Sequence, residues 1–211
     1  DEHGQKIENK AGLNELSPKT YVDHISTEIK RIYQKVGVSY DQFVRTTDER
    51  HIKSVQAIFK QLYDQGDIYL GEYEGWYSIA EEAFVLEKDI VDGKGPNGDV
   101  PVWTKEAAYF FKLAPYQERL LKHLEEHPEF IEPESRRNEM VQNFLKEPLP
   151  DLSVSRTSFK WGIPVEFDEG HIVYVWIDAL SNYITGLNYN PDQPHSVEFD
   201  KYWPADVHLI G

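Results

Sequence analysis

The run Ile172-Val173-Tyr174-Val175-Trp176-Ile177 constrains this chain more than any other stretch, because no charged or amide side chain interrupts it. Successive side chains of a strand point to opposite faces, so an unbroken apolar run must be covered on both sides. It reads as a strand buried in a parallel sheet. Asp178 reads as the N-cap of a following helix over 179–184 that Gly186 ends. An α/β layer is therefore expected at this end of the chain.

Helical periodicity marks the other end. Ser17-Pro18 reads as N-cap and first helical residue, and Tyr21, Ile25, Ile29, Ile32 and Val36 then recur at helical steps up to Gly37. A second helix is expected from Thr46-Thr47, with Glu49 completing a capping box, and it buries Val55, Ile58, Phe59 and Leu62 before Gly66. Residues 68–79 are aromatic and β-rich and read as a hairpin or meander with Gly71 and Gly75 as bends. Residues 80–103 hold the turn cluster Gly93, Gly95, Pro96, Asn97 and Gly98 between short strands. Helices follow over 115–126, with Leu120, Leu121 and Leu124 inward, and over 133–146, with Met140, Val141 and Phe144 inward. The order predicts an α/β layer at each end and an α+β module between residues 69 and 154.

Composition bounds the chemistry. With 211 residues, 40 % of them hydrophobic, the chain can bury a core, and its apolar runs are too short to span a bilayer. There is no cysteine. That removes disulfides, thiolate nucleophiles and every cysteine zinc site, and fits a cytoplasmic protein. A net charge of −15 repels phosphate backbones and argues against nonspecific nucleic-acid binding. The chain opens Asp1-Glu2-His3-Gly4 and closes Val207-His208-Leu209-Ile210-Gly211. Val207, Leu209 and Ile210 read as a buried strand, so the chain is expected to be a piece of a larger enzyme. Exposed strand edges would then favour self-association.

Five segments together carry a resemblance: Asp1-Glu2-His3-Gly4-Gln5-Lys6-Ile7, Arg45-Thr46-Thr47-Asp48, Gly75-Trp76-Tyr77-Ser78, Asp151-Leu152-Ser153-Val154-Ser155-Arg156 and Tyr174-Val175-Trp176-Ile177-Asp178-Ala179. In this order and spacing, the chain resembles the methionyl-tRNA synthetase family of class I aminoacyl-tRNA synthetases over essentially its whole length. The resemblance implies an incomplete Rossmann-type catalytic domain. Residues 1–68 would belong to the first Rossmann half, 69–154 to a connective insertion without a zinc knuckle, and 155–211 to the second half. It implies activation of methionine with ATP, accompanied by Mg2+, and transfer to tRNA(Met). The His-Ile-Gly-His-type and Lys-Met-Ser-Lys-Ser motifs that bind ATP in the family are missing, so this segment alone is expected to be inactive.

The same resemblance assigns the site. Asp1 matches the aspartate that holds the substrate ammonium; without the match it reads as a strand-end residue capping a turn. Arg156 matches a catalytic arginine expected to pair with Asp1; otherwise it is a surface arginine. Trp176, Ala179, Leu180 and Tyr183 match the methionine pocket, and aromatic edges suit a thioether. Leu180 replaces the proline of some members, and on periodicity alone the two aromatics read as core. His3 is either close to the adenylate or a structural hydrogen-bond partner. Asp178 is read as an N-cap rather than a functional acid. No metal site is expected. His123-Leu124-Glu125-Glu126-His127 has the His-x-x-Glu-His spacing of some zinc proteases, but Pro128 biases His127 away from the helix. Arg136, Arg137 and Lys146 read as a solvated face rather than an RNA contact. The rivals are a sister synthetase for leucine, isoleucine or valine and a noncatalytic synthetase-derived binding module.

Overall fold

The computed structural model describes residues 1–80 and 83–210, without the side chain of Ala83. The excursion expected over 80–103 and the boundary at 211 therefore include residues 81, 82 and 211, which lie outside the described residues.

Three helices come first: α1 Gln5–Leu13, α2 Pro18–Lys35 and α3 Glu49–Asp64. The sequence reading contains no counterpart of α1, whose only buried residue is Ala11. Ser17 caps α2 as expected, its Oγ accepting from the Thr20 amide at 3.1 Å. Its recurring apolar residues do not form the packed face. α2 packs on α1 through Val22 and Ser26, while Ile25, Ile29, Ile32 and Val36 stay exposed, because nothing described covers that face. α3 buries Val55 and Phe59 and packs Ile58 and Leu62 against the core, as its spacing requires. Its N-cap is Asp48, with no side-chain cap bond. Thr46 and Thr47 are occupied by Glu2 instead.

An antiparallel ribbon follows, formed by β1 Ile68–Ser78 and β3 Val102–Phe111 and paired from Ile68↔Phe111 to Tyr77↔Val102. Gly71 and Gly75 lie inside β1 and do not bend it. A Cβ on Gly71 would meet the Phe110 ring at 3.1 Å and one on Gly75 the Tyr73 ring at 3.1 Å, so the glycines make room for aromatics lying across the strand. With β2 Ala83–Val85 and β4 Leu152–Ser153, the ribbon forms a four-stranded sheet ordered β2-β1-β3-β4. Two turn residues of the excursion, Gly93 and Gly98, take positive φ.

α4 Ala114–Glu126 buries Leu124 but leaves Leu120 exposed. α5 Glu134–Met140 runs into a π-helical turn, Val141–Leu145. That wider turn shifts the side-chain phase, so Leu145 is buried while Met140 and Phe144 face solvent, against the expected inward set.

The last sheet has the order β5-β7-β6, from β5 Ser155–Arg156, β6 Ile163–Val165 and β7 Asp168–Val173. All described strand pairs are antiparallel. The expected parallel strand over 172–177 is thus two things: the end of β7, and the short helix α6 Val175–Asp178. A 3₁₀ turn, Ala179–Ser181, and α7 Asn182–Thr185 replace the single helix expected over 179–184. After α8 Val197–Tyr202, residues 207–210 form no strand, and Val207, Leu209 and Ile210 are exposed. A strand needs a ladder partner, and no described strand lies beside this one. The core joins both sheets to α3 through Phe59, Ile68, Tyr109, Val154, Ile163, Val165, Val173 and Ile177.

Candidate active site

The N-terminal segment is strapped across this core. The Glu2 carboxylate accepts from Arg45 Nε at 2.7 Å and from the Thr47 hydroxyl, and Arg45 Nη1 also pairs with Asp23 at 2.7 Å. The Glu2 amide donates to Thr46 Oγ1 at 3.0 Å. On the other side, Trp161 Nε1 donates to the Glu2 carbonyl at 2.6 Å and the Gly4 amide to the Trp161 carbonyl at 3.0 Å. These bonds fix Asp1 and His3 beside the β7–α6 turn. There a cleft is lined by Asp1, His3, Gly4, Phe159, Val173, Tyr174, Val175 and Asp178.

At the floor of the cleft, Asp178 is not the expected N-cap. It is the last residue of α6, makes no capping bond and is 1 % exposed. Its Oδ2 lies 2.6 Å from His3 Nδ1 and its Oδ1 lies 2.9 Å from His51 Nε2. His51 is wholly buried on α3, with Nδ1 2.7 Å from Thr185 Oγ1. Burial alone would raise the Asp178 pKa, but the hydrogen bonds that the two histidines donate, and their charge whenever the rings are protonated, hold it below the usual carboxylate value. Sequence reasoning missed His51. Its only signal was a histidine on the apolar side of α3, four residues before Val55.

Arg156 is also a correction. It is 2 % exposed, and its carboxylate partner among the described residues is Glu106, at 3.6 Å from Nε, instead of Asp1. Nη1 donates to Ser153 Oγ at 2.6 Å and to the Ser155 carbonyl at 2.8 Å. The guanidinium lies 3.8 Å from the Tyr174 ring centroid and 5.1 Å from that of Phe84. It therefore acts on the cleft through Tyr174, which lines it.

The structure places Trp176 on α6, Ala179 and Leu180 in the 3₁₀ turn and Tyr183 on α7, next to the cleft but outside its lining. Trp176, Leu180 and Tyr183 are exposed, so the reading of the two aromatics as core does not hold. Tyr183 stacks on His208 at 4.6 Å between centroids. Elsewhere, His127 leaves the helix at φ −129°, as Pro128 requires, although its ring stays 4.7 Å from that of His123. Arg136 pairs with Glu139 and Arg137 with Glu134.

The three ligand-bearing groups that come together among the described residues are Asp1, His3 and Asp178, each offering an atom within 4.8 Å of the others. Among the described residues, no helix is long and apolar enough to cross a membrane.

Against this geometry, the family model described as tRNA synthetases class I (M) matches residues 1–100 and 96–211. A methionine–tRNA ligase of Halalkalibacterium halodurans is 56 % identical over 100 % of this chain and 34 % of its own length. That of Clostridium tetani is 57 % identical over 100 % of this chain and 33 % of its own. The chain thus spans about a third of the length of the curated relatives it matches. A Mycobacterium tuberculosis methionyl-tRNA synthetase solved with methionyl-adenylate superposes at a TM-score of 0.92 and 41 % identity, covering 100 % of this chain and 42 % of that one.

Proposed function

We propose, from the premise that this chain belongs to the class I (M) family of tRNA synthetases, that it forms the amino-acid side of a methionine-activating site. In the reaction, a carboxylate oxygen of methionine attacks the α-phosphorus of ATP. The bond to the bridging oxygen breaks, and pyrophosphate leaves with the electron pair. The terminal ribose hydroxyl of tRNA(Met) then takes the methionyl group and AMP departs. ATP with Mg2+ is a co-substrate here, and no structural zinc is assigned to a chain without cysteine. Positioning and charge stabilisation are the main demands on the protein.

The observation that carries the reading is the cleft itself. It brings the Asp1 carboxylate to His3 and to the β7–α6 turn, in a chain whose relative was solved with methionyl-adenylate. In this reading Asp1 pairs with the methionine ammonium. Trp176, Ala179, Leu180 and Tyr183 receive the thioether side chain; of these, Trp176, Leu180 and Tyr183 are exposed beside the cleft. Arg156 is a positioning residue, holding Tyr174 and the 153–156 segment. Residues 69–154 are assigned to the connective insertion, between the Rossmann portions 1–68 and 155–211. The setting is cytoplasmic, and self-association of this chain through strand edges belongs to the same reading.

The test is methionine-dependent ATP–pyrophosphate exchange by a full-length ligase carrying this segment, beside the chain by itself. Exchange by the long protein only is expected. Asp1→Ala should then raise the methionine KM at least about tenfold with a smaller effect on ATP. An equal loss for both substrates overturns the role of Asp1, and exchange driven by leucine, isoleucine or valine instead overturns the methionine reading.

A further inference from the structure

The hydrogen-bond path His3–Asp178–His51–Thr185 starts in the cleft and ends in the interior. A carboxylate only accepts, so both imidazole nitrogens that touch Asp178 are donors. A neutral His51 protonated at Nε2 has a bare Nδ1, which makes the Thr185 hydroxyl, 2.7 Å away, the donor to it. The interior end of the path thereby has one self-consistent proton arrangement. The same logic puts the proton of a neutral His3 on Nδ1 and leaves Nε2 as an acceptor.

That acceptor is unused. Nε2 has no hydrogen-bond partner among the described residues, and the side chain, only 8 % exposed, lines the cleft. The ring is held on another side by Trp161, edge-on at 5.3 Å, whose own Nε1 is taken by the Glu2 carbonyl. His3 and Asp1 line the same cleft, so an acceptor on this ring together with that carboxylate suits a ligand with several N–H donors and a positive charge. A metal ion fits less well. It would compete for a nitrogen and for oxygens already joined by the 2.6 Å and 2.9 Å bonds of Asp178.

We propose that Asp178 and His51 are positioning residues that clamp His3 through Nδ1, so that His3 Nε2 accepts a hydrogen bond from the ammonium group of the amino-acid substrate beside Asp1. This rests on the methionine-activation reading above. It divides the labour at the ammonium: Asp1 supplies charge, and the buried pair supplies an acceptor whose orientation and tautomer are already set. Pre-ordered groups of this kind save the entropy of arranging them around the ligand.

The test uses the full-length ligase carrying this segment, with exchange kinetics in both substrates and thermal melting of each variant. His3→Asn keeps an amide donor near the Nδ1 position, for Asp178, and removes the Nε2 acceptor. It is expected to raise the methionine KM about tenfold, with the ATP KM within about twofold and melting unchanged. His51→Leu frees one oxygen of Asp178 and should raise the methionine KM in the same direction. His51→Gln, whose amide nitrogen reaches where Nε2 stood, should restore most of it. A His3→Asn enzyme with an unchanged methionine KM overturns the proposal, as does an equal rise for both substrates. So does a His51→Leu enzyme that melts earlier while keeping its methionine KM, because the network would then be structural only. Lack of exchange by the unmutated enzyme is seen before any variant is compared; it marks failure of the activation reading and takes this inference down with it.

Discussion

The β1–β3 ribbon and the Asp178 cleft hold distant parts of the chain together by opposite means. The ribbon pairs ten consecutive positions, from Ile68↔Phe111 to Tyr77↔Val102, and clads them with stacked rings such as Tyr73–Phe110 and Tyr69–Phe110. Its stability is spread over many small, similar contacts. The cleft relies on one carboxylate and two histidines drawn from residues 3, 51 and 178. Interiors tolerate few unpaired polar groups, so such a junction is all-or-none: complete, it fixes three elements; broken, it leaves charge without a partner. A ribbon degrades gradually, a buried polar junction abruptly.

The sharpest way to break the comparison is to remove the carboxylate. Asp178→Ala strands two buried imidazole donors and should cost about 3–5 kcal/mol in chemical denaturation. A loss under about 1 kcal/mol would mean that the junction is no more concentrated than the ribbon. Phe59→Ala, in the core both regions share, is expected to cost about 3–5 kcal/mol as well, but by leaving a cavity. It should shift the denaturation midpoint without any preference for acid or alkaline conditions. Within the ribbon, Gly71→Val pushes a side chain against Phe110, and a cost of about 1–3 kcal/mol is expected. A value matching that of Asp178→Ala would erase the contrast. Ser17→Ala, at the cap of α2 and away from both regions, should cost about 1 kcal/mol and sets the scale for a single local bond.

Titration sharpens the same contrast. The Asp178 carboxyl is held below its usual pKa because, despite its burial, the two histidines favour the charged form. Its contribution to stability is therefore complete above the ordinary carboxylate pKa and is lost as the pH falls through the lowered value. Asp178→Asn should flatten that acid limb. In the ribbon, Tyr109 is pushed up to about 12, first by burial and then by its bond to Asp168. A raised tyrosine gives its full contribution below the ordinary tyrosine value and loses it as the pH rises towards the raised one. Tyr109→Phe should flatten the alkaline limb and leave the acid limb alone. Movement of both limbs by either substitution would show that the two regions do not titrate separately.

Legibility followed the range of the interactions. The cap at Ser17, the buried face of α3 and the departure of His127 from its helix before Pro128 were all readable, because each depends on residues within about one or two helical turns. The five motif segments were enough to identify the family, and Asp1 and His3 do come together at the cleft. Misreadings arose where local pattern and tertiary partner disagree. An apolar run over 172–177 fits a strand equally well whether or not a second strand lies beside it, and here the chain turns into α6 after Val173. Glycines inside an aromatic strand look like bends until the rings that need their space are known.

By itself, then, the sequence determined the helices that follow Ser17 and Thr47, the β character of residues 68–78, the absence of thiol chemistry and the family, while the pairing of that strand with 102–111 came from the structure. Only the tertiary structure decided that Asp178 is a junction instead of a cap, that His51 is its second anchor and that Arg156 answers to Glu106 and Tyr174. The physical reason is separation. A cap or an amphipathic stripe satisfies its groups within the same element, whereas a buried charge must find partners 127 and 175 residues away, and no local pattern records which ones they will be.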